Sequence, residues 1–298
     1  MRVAVLAAED SWYFRDLLRA AGNDYELTCL PFQQMQAQVD RSGSQRILAG
    51  EHDLADFEAV LVRTMPAGSL EQVVFRMDAL ARYEAAGGVV LNPARAVEAA
   101  VDKYVTTAKL VAAGLPSPRT IVCQTAEGAM AAFEALGGDV VIKPLFGSEG
   151  RGIARLNDEA MALRAFKLLE QLGAILYLQE YIPHEGFDCR VLIVGERTFC
   201  MKRSNPLDWR TNVSRGATTE RFEAAPELLQ MARQAAQAVG AVVAGVDLLP
   251  ARNGNWYVLE VNAVPGWKAL ASTLEMDIAR TVLDFTREHV RQQRGANA

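Results

Sequence analysis

The sequence predicts an α/β protein whose first part is a layered α/β unit and whose remainder mixes helices with antiparallel strands. Three observations carry that expectation. Short apolar runs alternate with amphipathic stretches through the first 95 residues. Two apolar runs in the C-terminal third are joined by Asn253 and Gly254, a hairpin-turn pair. No stretch reaches the ~18 apolar residues that a membrane helix needs.

Val3 to Leu6 reads as a buried strand, followed by a helix over "SWYFRDLLRAAG" with Ser11 as N-cap and Gly22 as stop. Tyr25 to Leu30, Ala59 to Val62 and Val89 to Leu91 repeat the strand pattern, and parallel pairing is expected. Leu70, Val73, Val74, Met77, Leu80 and Ala81 trace one face of a helix before the last of these. A helical stretch runs from Pro93 to about Ala113, and "GLPSPRT" forces an extended connection. Next come a strand (Thr120 to Cys123), a helix (Glu127 to Leu136) and the run Val140 to Ile142 that delivers Lys143. Beyond the loop after Lys143 follow a strand in "GIARL", a helix from about Asp158 to Leu172 and the strand "ILYLQEYI". "CRVLIVG" and "RTFCMKR" form an antiparallel pair, Pro226 to Val239 a helix, and "AVVAGVDLLPARNGNWYVLEVN" a hairpin. The terminal "RQQRGANA" reads as frayed.

A chain of 298 residues, half of them hydrophobic, can bury the cores of two domains or three small ones. A net charge of −5 and a pI near 5.4 give no footprint for nucleic acid, while 31 Lys and Arg leave cations for local anion sites. The start lacks the flanks of a signal peptide, and no membrane segment is expected. Cys29, Cys123, Cys189 and Cys200 lack CxxC spacing and read as reduced core thiols, which places the chain in the cytoplasm.

Residues 143 to 156, "KPLFGSEGRGIARL", carry Gly147, Gly150 and Gly152 between two strands. Dinucleotide loops and P-loops run straight into a helix, so this loop is a hairpin whose backbone amides fold over a phosphate chain, or a plain turn. Lys143 ends an apolar strand and needs an anion there, unless it snorkels to the surface. On the C-terminal hairpin, Glu260 and Asn262 share a face and Asp247 falls opposite or nearly opposite Glu260. Such an oxygen set suits Mg²⁺; the alternative is a carboxylate pair neutralised by Arg or Lys. Gln179, Glu180, Tyr181 and Ile182 end a strand before a proline turn and can offer backbone groups to an adenine edge, with Asp188 near ribose hydroxyls. Lys202, Arg203, Arg210 and Arg215 fall within fourteen residues, either as solvated surface charge or facing a carboxyl phosphate. His52, His184 and His289 have no triad-like setting.

Taken in order, "DK" (Asp102, Lys103), "VVIKPLFGSEGRGI", "LQEYIPHEGFDCRVLIVG", "WRTNVSRGA" and "GVDLL…LEVNAVPG" resemble the ATP-grasp superfamily, and within it the RimK type of amino-acid ligase that modifies ribosomal protein S6. The resemblance runs from about Asn92 to Glu288. It implies a Rossmann-like N-terminal α/β domain (1–94), a central α+β subdomain with the glycine flap (95–182) and a C-terminal α+β subdomain with the metal hairpin (183–298), the last two gripping ATP between them. It further implies that Lys103 and Lys143 contact the nucleotide. The flap, comprising Gly147, Ser148, Glu149, Gly150, Arg151 and Gly152, would close over the phosphates. Gln179 to Ile182, Asp188 and Lys202 would complete the nucleotide site. Asp247, Glu260 and Asn262 would bind one or two Mg²⁺, or Mn²⁺ in its place. Arg190, Arg203 and Arg215 would face the acyl phosphate or substrate carboxylates, and Asn262 to Gly266 would line the acceptor side. Many relatives carry a histidine before that last arginine and two glycines after it. This chain has Ser214, Arg215, Gly216 and Ala217, so no role of that histidine carries over.

The activity implied is ATP-dependent amide formation through an acyl phosphate. L-glutamate would be joined to a small acidic acceptor, with "LFGSEGRG" closer to the relatives that modify pterin or furan type coenzymes. Family habit implies a homo-oligomer, dimer or tetramer. Glutamylation of a protein C-terminus is the alternative within the same chemistry. Outside it stand a non-catalytic ATP-binding module, expected to have lost its metal ligands, and a nicotinamide oxidoreductase, expected to respond to NAD(P)H and not to Mg-ADP.

Overall fold

The computed structural model describes residues 1–147 and 150–296. The first sheet has four strands, Arg2–Leu6, Glu26–Leu30, Ala59–Val62 and Val90–Leu91, with Arg2–Leu6 and Ala59–Val62 in the middle. All its pairings are parallel, as the pattern predicts. Helix Trp12–Ala21 covers one face through Phe14 and Leu17, and helix Leu70–Ala85 covers the other through Met77 and Leu80. The second helix turns Arg76, Met77, Ala79, Leu80 and Tyr83 inward. Leu70 and Val74, expected on the packed face, are 81% and 48% exposed, because the helix is rotated toward its Tyr83 side. A small antiparallel sheet of Met35–Val39, Gln45–Ala49 and His52–Asp53 is an addition the sequence reading omitted.

The stretch from Pro93 forms two helices, Ala94–Val101 and Lys103–Ala112, where one was expected. Asp102 makes the break: its carboxylate accepts from the amides of Tyr104 and Val105 and caps the second helix. A central lobe follows, with strands in the order Ala154–Leu156, Val140–Lys143, Leu176–Glu180 and Thr120–Cys123, all antiparallel. Helices Ala126–Ala135 and Glu159–Gln171 back it, and Phe133, Phe166, Ile142 and Leu178 form a core of its own.

The largest sheet orders Thr218–Arg221, Arg197–Ser204, Phe187–Val194, Val243–Pro250 and Trp256–Asn262. Its faces pack into the same two cores as the N-terminal sheet: Val191 and Val246 join Leu6 and Leu80, while Leu192 and Val194 join Val3 and Leu17. Buried Asn92 staples the two sheets, donating to the carbonyls of Val243 and Ala263 and accepting from the amides of Val242 and Val243. Of the tail expected to fray, 291–296 form the end of helix Ile278–Ala296, which packs on Trp12–Ala21, and 297–298 lie outside the described residues. Arg19 bonds Asp277, Arg280 bonds Asp24, and Tyr25 donates to Asp284 at 2.7 Å across that contact. The four cysteines are free; Cys189 and Cys200 are buried and the other two half-buried. No helix among the described residues is long and apolar enough to cross a membrane.

Candidate active site

A cleft lies between the central lobe and the large sheet. Val141, Lys143 and Gly150 line it from the lobe, and Asp188, Arg203, Asp247 and Glu260 from the sheet.

Lys143 ends its strand inside the cleft wall, and its ammonium donates to Gln179 Oε1 at 2.6 Å. Burial pushes its pKa down to about 8, against the opposing pull of Glu260. Lys143 is half-buried, and an ammonium whose bonded partner among the described residues is a neutral amide calls for an anion, so the site fits a phosphate chain. Lys103 donates to the Gly147 carbonyl at 2.8 Å, and burial lowers its pKa as well. Gln179 is 2% exposed and turns its amide nitrogen to Thr120 and Tyr177, so it positions Lys143. Of the three hinge amides, that of Glu180 is spent on Arg119 O and that of Tyr181 on Asp139 O. Ile182 has no such bond among the described residues, which narrows the backbone donor for a base edge to one.

Gly150 and Gly152 hold φ of 68° and 72°, where a side chain is strained. A Cβ on Gly150 would lie 2.4 Å from Asn212 Oδ1, and one on Gly152 2.8 Å from the Pro144 ring. Arg215 donates to the Gly150 carbonyl at 3.2 Å and Arg210 to the Ile153 carbonyl at 3.2 Å, so the 205–216 segment latches the flap. Arg151 is exposed on the flap, and Ser148 and Glu149 lie outside the described residues.

Strand register brings the acidic residues together through a bulge: Leu248 pairs with Val258, Asp247 with Glu260 and Gly245 with Asn262, leaving Leu259 between. Asp247 is 4% exposed and held by two arginines. Arg190 grips it through Nε and, at 2.9 Å, through Nη2; Arg203 Nη2 approaches at 2.9 Å. Burial alone would raise the Asp247 pKa, but Arg190 and Arg203 outweigh it and hold the carboxyl below its usual value. The neutralised-carboxylate alternative therefore describes Asp247 in this state. Glu260 is more open, with Arg190 at 3.8 Å, and Asn262 Oδ1 accepts from the Val264 amide at 2.8 Å. The more open Glu260 carboxylate and the Asn262 amide oxygen are hard donors that fit Mg²⁺, and Asp247 would join them by exchanging a guanidinium contact for the metal.

Asp188, expected near ribose hydroxyls, has both oxygens engaged from below: Arg203 Nε at 2.7 Å and Thr211 Oγ1 at 2.6 Å. Lys202 departs from expectation. It pairs with Glu220 at 2.7 Å and lies over Phe187, on the face of its strand opposite Arg203. Adjacent strand residues point to opposite faces, so one of the two had to leave the cleft.

The sequence reading assigned no role to Trp209 or Thr211, and it placed Asn205 and Asn212 only in the polar stretch around Arg210. Trp209 meets Tyr181 edge-on at 6.0 Å and closes the cleft mouth. Asn205 donates to the carbonyls of Arg210 and Arg215 and shapes the latch. A lone Trp among Arg, Asp and Asn in an aperiodic loop was the available signal.

Residues 100–286 match the RimK-like ATP-grasp domain, and the chain belongs to that family. It is thus an ATP-dependent ligase that joins an acid to an amine with release of ADP. The tetrahydromethanopterin:alpha-L-glutamate ligase of Methanosarcina acetivorans is 34% identical over 267 residues, covering 80% of this chain and 82% of that one. The enzyme of that name from Methanococcus maripaludis is 27% identical over 298 residues, covering 98% and 100%. The fold is shared with an ATP-grasp RimK domain protein of Sphaerobacter thermophilus, at a TM-score of 0.74, 24% identity and coverage of 96% and 99%. It is also shared with the ATP-grasp ligase PsnB solved with Mg, ADP and a phosphomimetic variant of its minimal precursor, at a TM-score of 0.72, 22% identity and coverage of 96% and 97%. ATP with Mg²⁺ is the family's nucleotide pair.

Proposed function

We propose that this ligase adds L-glutamate, through its α-amine, to a carboxyl group of a small pterin-type acceptor. The observation that carries the reading is the 34% identity to the tetrahydromethanopterin ligase over four-fifths of the chain, together with a cleft that pairs a phosphate-ready Lys143 with the Asp247, Glu260 and Asn262 set. An oxygen of the acceptor carboxylate attacks the γ-phosphorus of ATP, and ADP leaves. The amine nitrogen then attacks the acyl carbon, phosphate departs, and the nitrogen loses a proton as the amide forms. Lys103 and Lys143 hold the phosphates and offset their charge. Gly150 and Gly152 bring backbone close to them, and the Arg215 latch keeps water away from the acyl phosphate. Arg190 and Arg203 keep Asp247 ionised and aligned for metal. Mg²⁺, one ion or two, with Mn²⁺ as a substitute, neutralises phosphate charge when held by Asp247, Glu260 and Asn262. No side-chain nucleophile takes part.

Free thiols support a cytoplasmic setting, and exposed Leu70, Val74 and Phe75 support a homo-oligomer, dimer or tetramer. The domain division at 94 and 182 is retained as part of this reading.

The test is phosphate release from Mg-ATP with L-glutamate and tetrahydromethanopterin, followed by mass spectrometry of the product. An added glutamyl residue is expected. Turnover with another amino acid overturns the glutamate assignment, and turnover that requires a protein acceptor moves the activity to a polypeptide C-terminus.

A further inference from the structure

Outside the nucleotide cleft, the N-terminal sheet has a topological switch point of its own. Strands Arg2–Leu6 and Ala59–Val62 lie side by side and parallel, and the helices that follow them cover opposite faces. The connections therefore diverge above the C-terminal ends of these two strands, where open parallel sheets take their ligands. Helix Trp12–Ala21 begins there with no side-chain cap and no acid in its first turn.

Arg63 is the first residue after Ala59–Val62, and its amide donates to the Leu6 carbonyl at 3.0 Å. Its side chain is turned inward and the residue is 9% exposed. The guanidinium lies 4.2 Å from the Trp267 ring and 5.2 Å from that of Tyr13. Nη2 donates to the Pro265 carbonyl at 2.7 Å, and Nε is buried with no partner. No carboxylate pairs with Arg63 among the described residues. Burial pushes its pKa down to about 10, against the opposing pull of Tyr13. Arg76, 5% exposed, donates to the Pro66 carbonyl at 2.8 Å and likewise meets no carboxylate among the described residues.

Buried cations are normally paired, because leaving their charge uncompensated is costly. The position of Arg63 says what the missing anion belongs to. A Cβ on Gly245 would lie 3.1 Å from Pro265 Cβ and 2.6 Å from Arg190 Nη1, so Pro265, whose carbonyl accepts from Arg63, lies beside the Arg190–Asp247–Glu260 group. Pro265 thus links Arg63 to the segment that follows Glu260 and Asn262.

We infer that Arg63 binds a carboxylate of one of the two molecules the ligase joins, with Arg76 as a positioning residue that fixes the 64–69 loop. The inference rests on the ligase reading above. A glutamate and an acidic acceptor offer the same chemistry, and a guanidinium fork matches either.

The experiment uses the full chain as wild type, Arg63→Lys and Arg63→Met. L-glutamate and tetrahydromethanopterin are titrated separately in the presence of Mg-ADP, with Mg-ADP affinity and thermal midpoint as controls. In Arg63→Met the Kd of one probe is expected to rise about 10- to 100-fold, with a smaller rise in Arg63→Lys and little change for Mg-ADP. A rise confined to L-glutamate assigns the amino acid's carboxylate, and one confined to the pterin assigns the acceptor's. Unchanged affinities for both, with or without a fall in thermal midpoint, overturn the inference and leave Arg63 as a staple between the sheet and the Pro265 segment. Binding of neither probe by the wild type also overturns it. Should Arg63→Met not fold, the lysine variant carries the comparison. Failure of the acceptor assignment is distinguishable: the wild type then binds L-glutamate without turning over tetrahydromethanopterin, and Arg63 is still judged on glutamate.

Discussion

Arg203 Nη2 meets Asp247 at 2.9 Å while its Nε donates to Asp188 at 2.7 Å, so one buried guanidinium joins the C-terminal hairpin to strand Phe187–Val194. Replacing it with methionine leaves two buried carboxylates without their shared cation. Arg203→Met is expected to cost about 3–5 kcal/mol in urea denaturation at neutral pH. Without the cation the native-state carboxyl pKa values rise, so the folded variant binds protons as pH falls and its deficit shrinks on acidification. A deficit independent of pH would remove the charge from this account.

Glu260 is the more open of the two hairpin carboxylates. Glu260→Gln keeps the shape and removes the charge, so phosphate release should fall by a factor on the order of 10² to 10³ while circular dichroism is unchanged. Near-normal turnover would sink the metal assignment.

The flap prediction is steric. Gly150→Val meets both a positive φ and Asn212, and ligation should slow about tenfold. Phosphate release per amide formed should rise, because a poorly latched flap admits water. An unchanged ratio and rate would reduce the loop to a plain turn.

Lys143 gives a pH signature. With its pKa near 8 in the free protein, it is largely neutral above that pH, and phosphate oxygens favour the ammonium. Binding of Mg-ATP between pH 8 and 9 should therefore take up a fraction of a proton, detected by calorimetry in buffers of different ionisation enthalpy. The uptake should fade at more acidic pH, where the lysine is already charged, and vanish in Lys143→Met. Heats that do not depend on buffer would contradict it.

Much of the site was legible because strands obey a short rule. The turn at Asn253 and Gly254 with period-two alternation puts Asn262 on the face of Glu260 and Asp247 opposite or nearly opposite Glu260, and a bulge beside Asp247 that no turn residue announces makes the pairing direct. The same rule separates Lys202 from Arg203, yet choosing which one faces the cleft requires knowing that Asp188 and Asp247 wait on one side. The helix break at Asp102 was not legible because its capping role depends on where the chain turns. The small sheet at 35–53 escaped notice because Gln36, Gln38, Gln45 and Arg46 stay exposed and leave no apolar run. Trp209 sits in a loop where no period exists to interpret it.

The last helix, lying across Trp12–Ala21, has a consequence for recombination. Two segments far apart in the sequence share one layer, with Arg19, Asp24 and Tyr25 meeting Asp277, Arg280 and Asp284. A cassette exchange that moves only residues 1–94 between relatives would bring a sheet without its matching cover. Productive chimaeras should be those that inherit 1–94 and 277–296 from one parent and the residues between from the other.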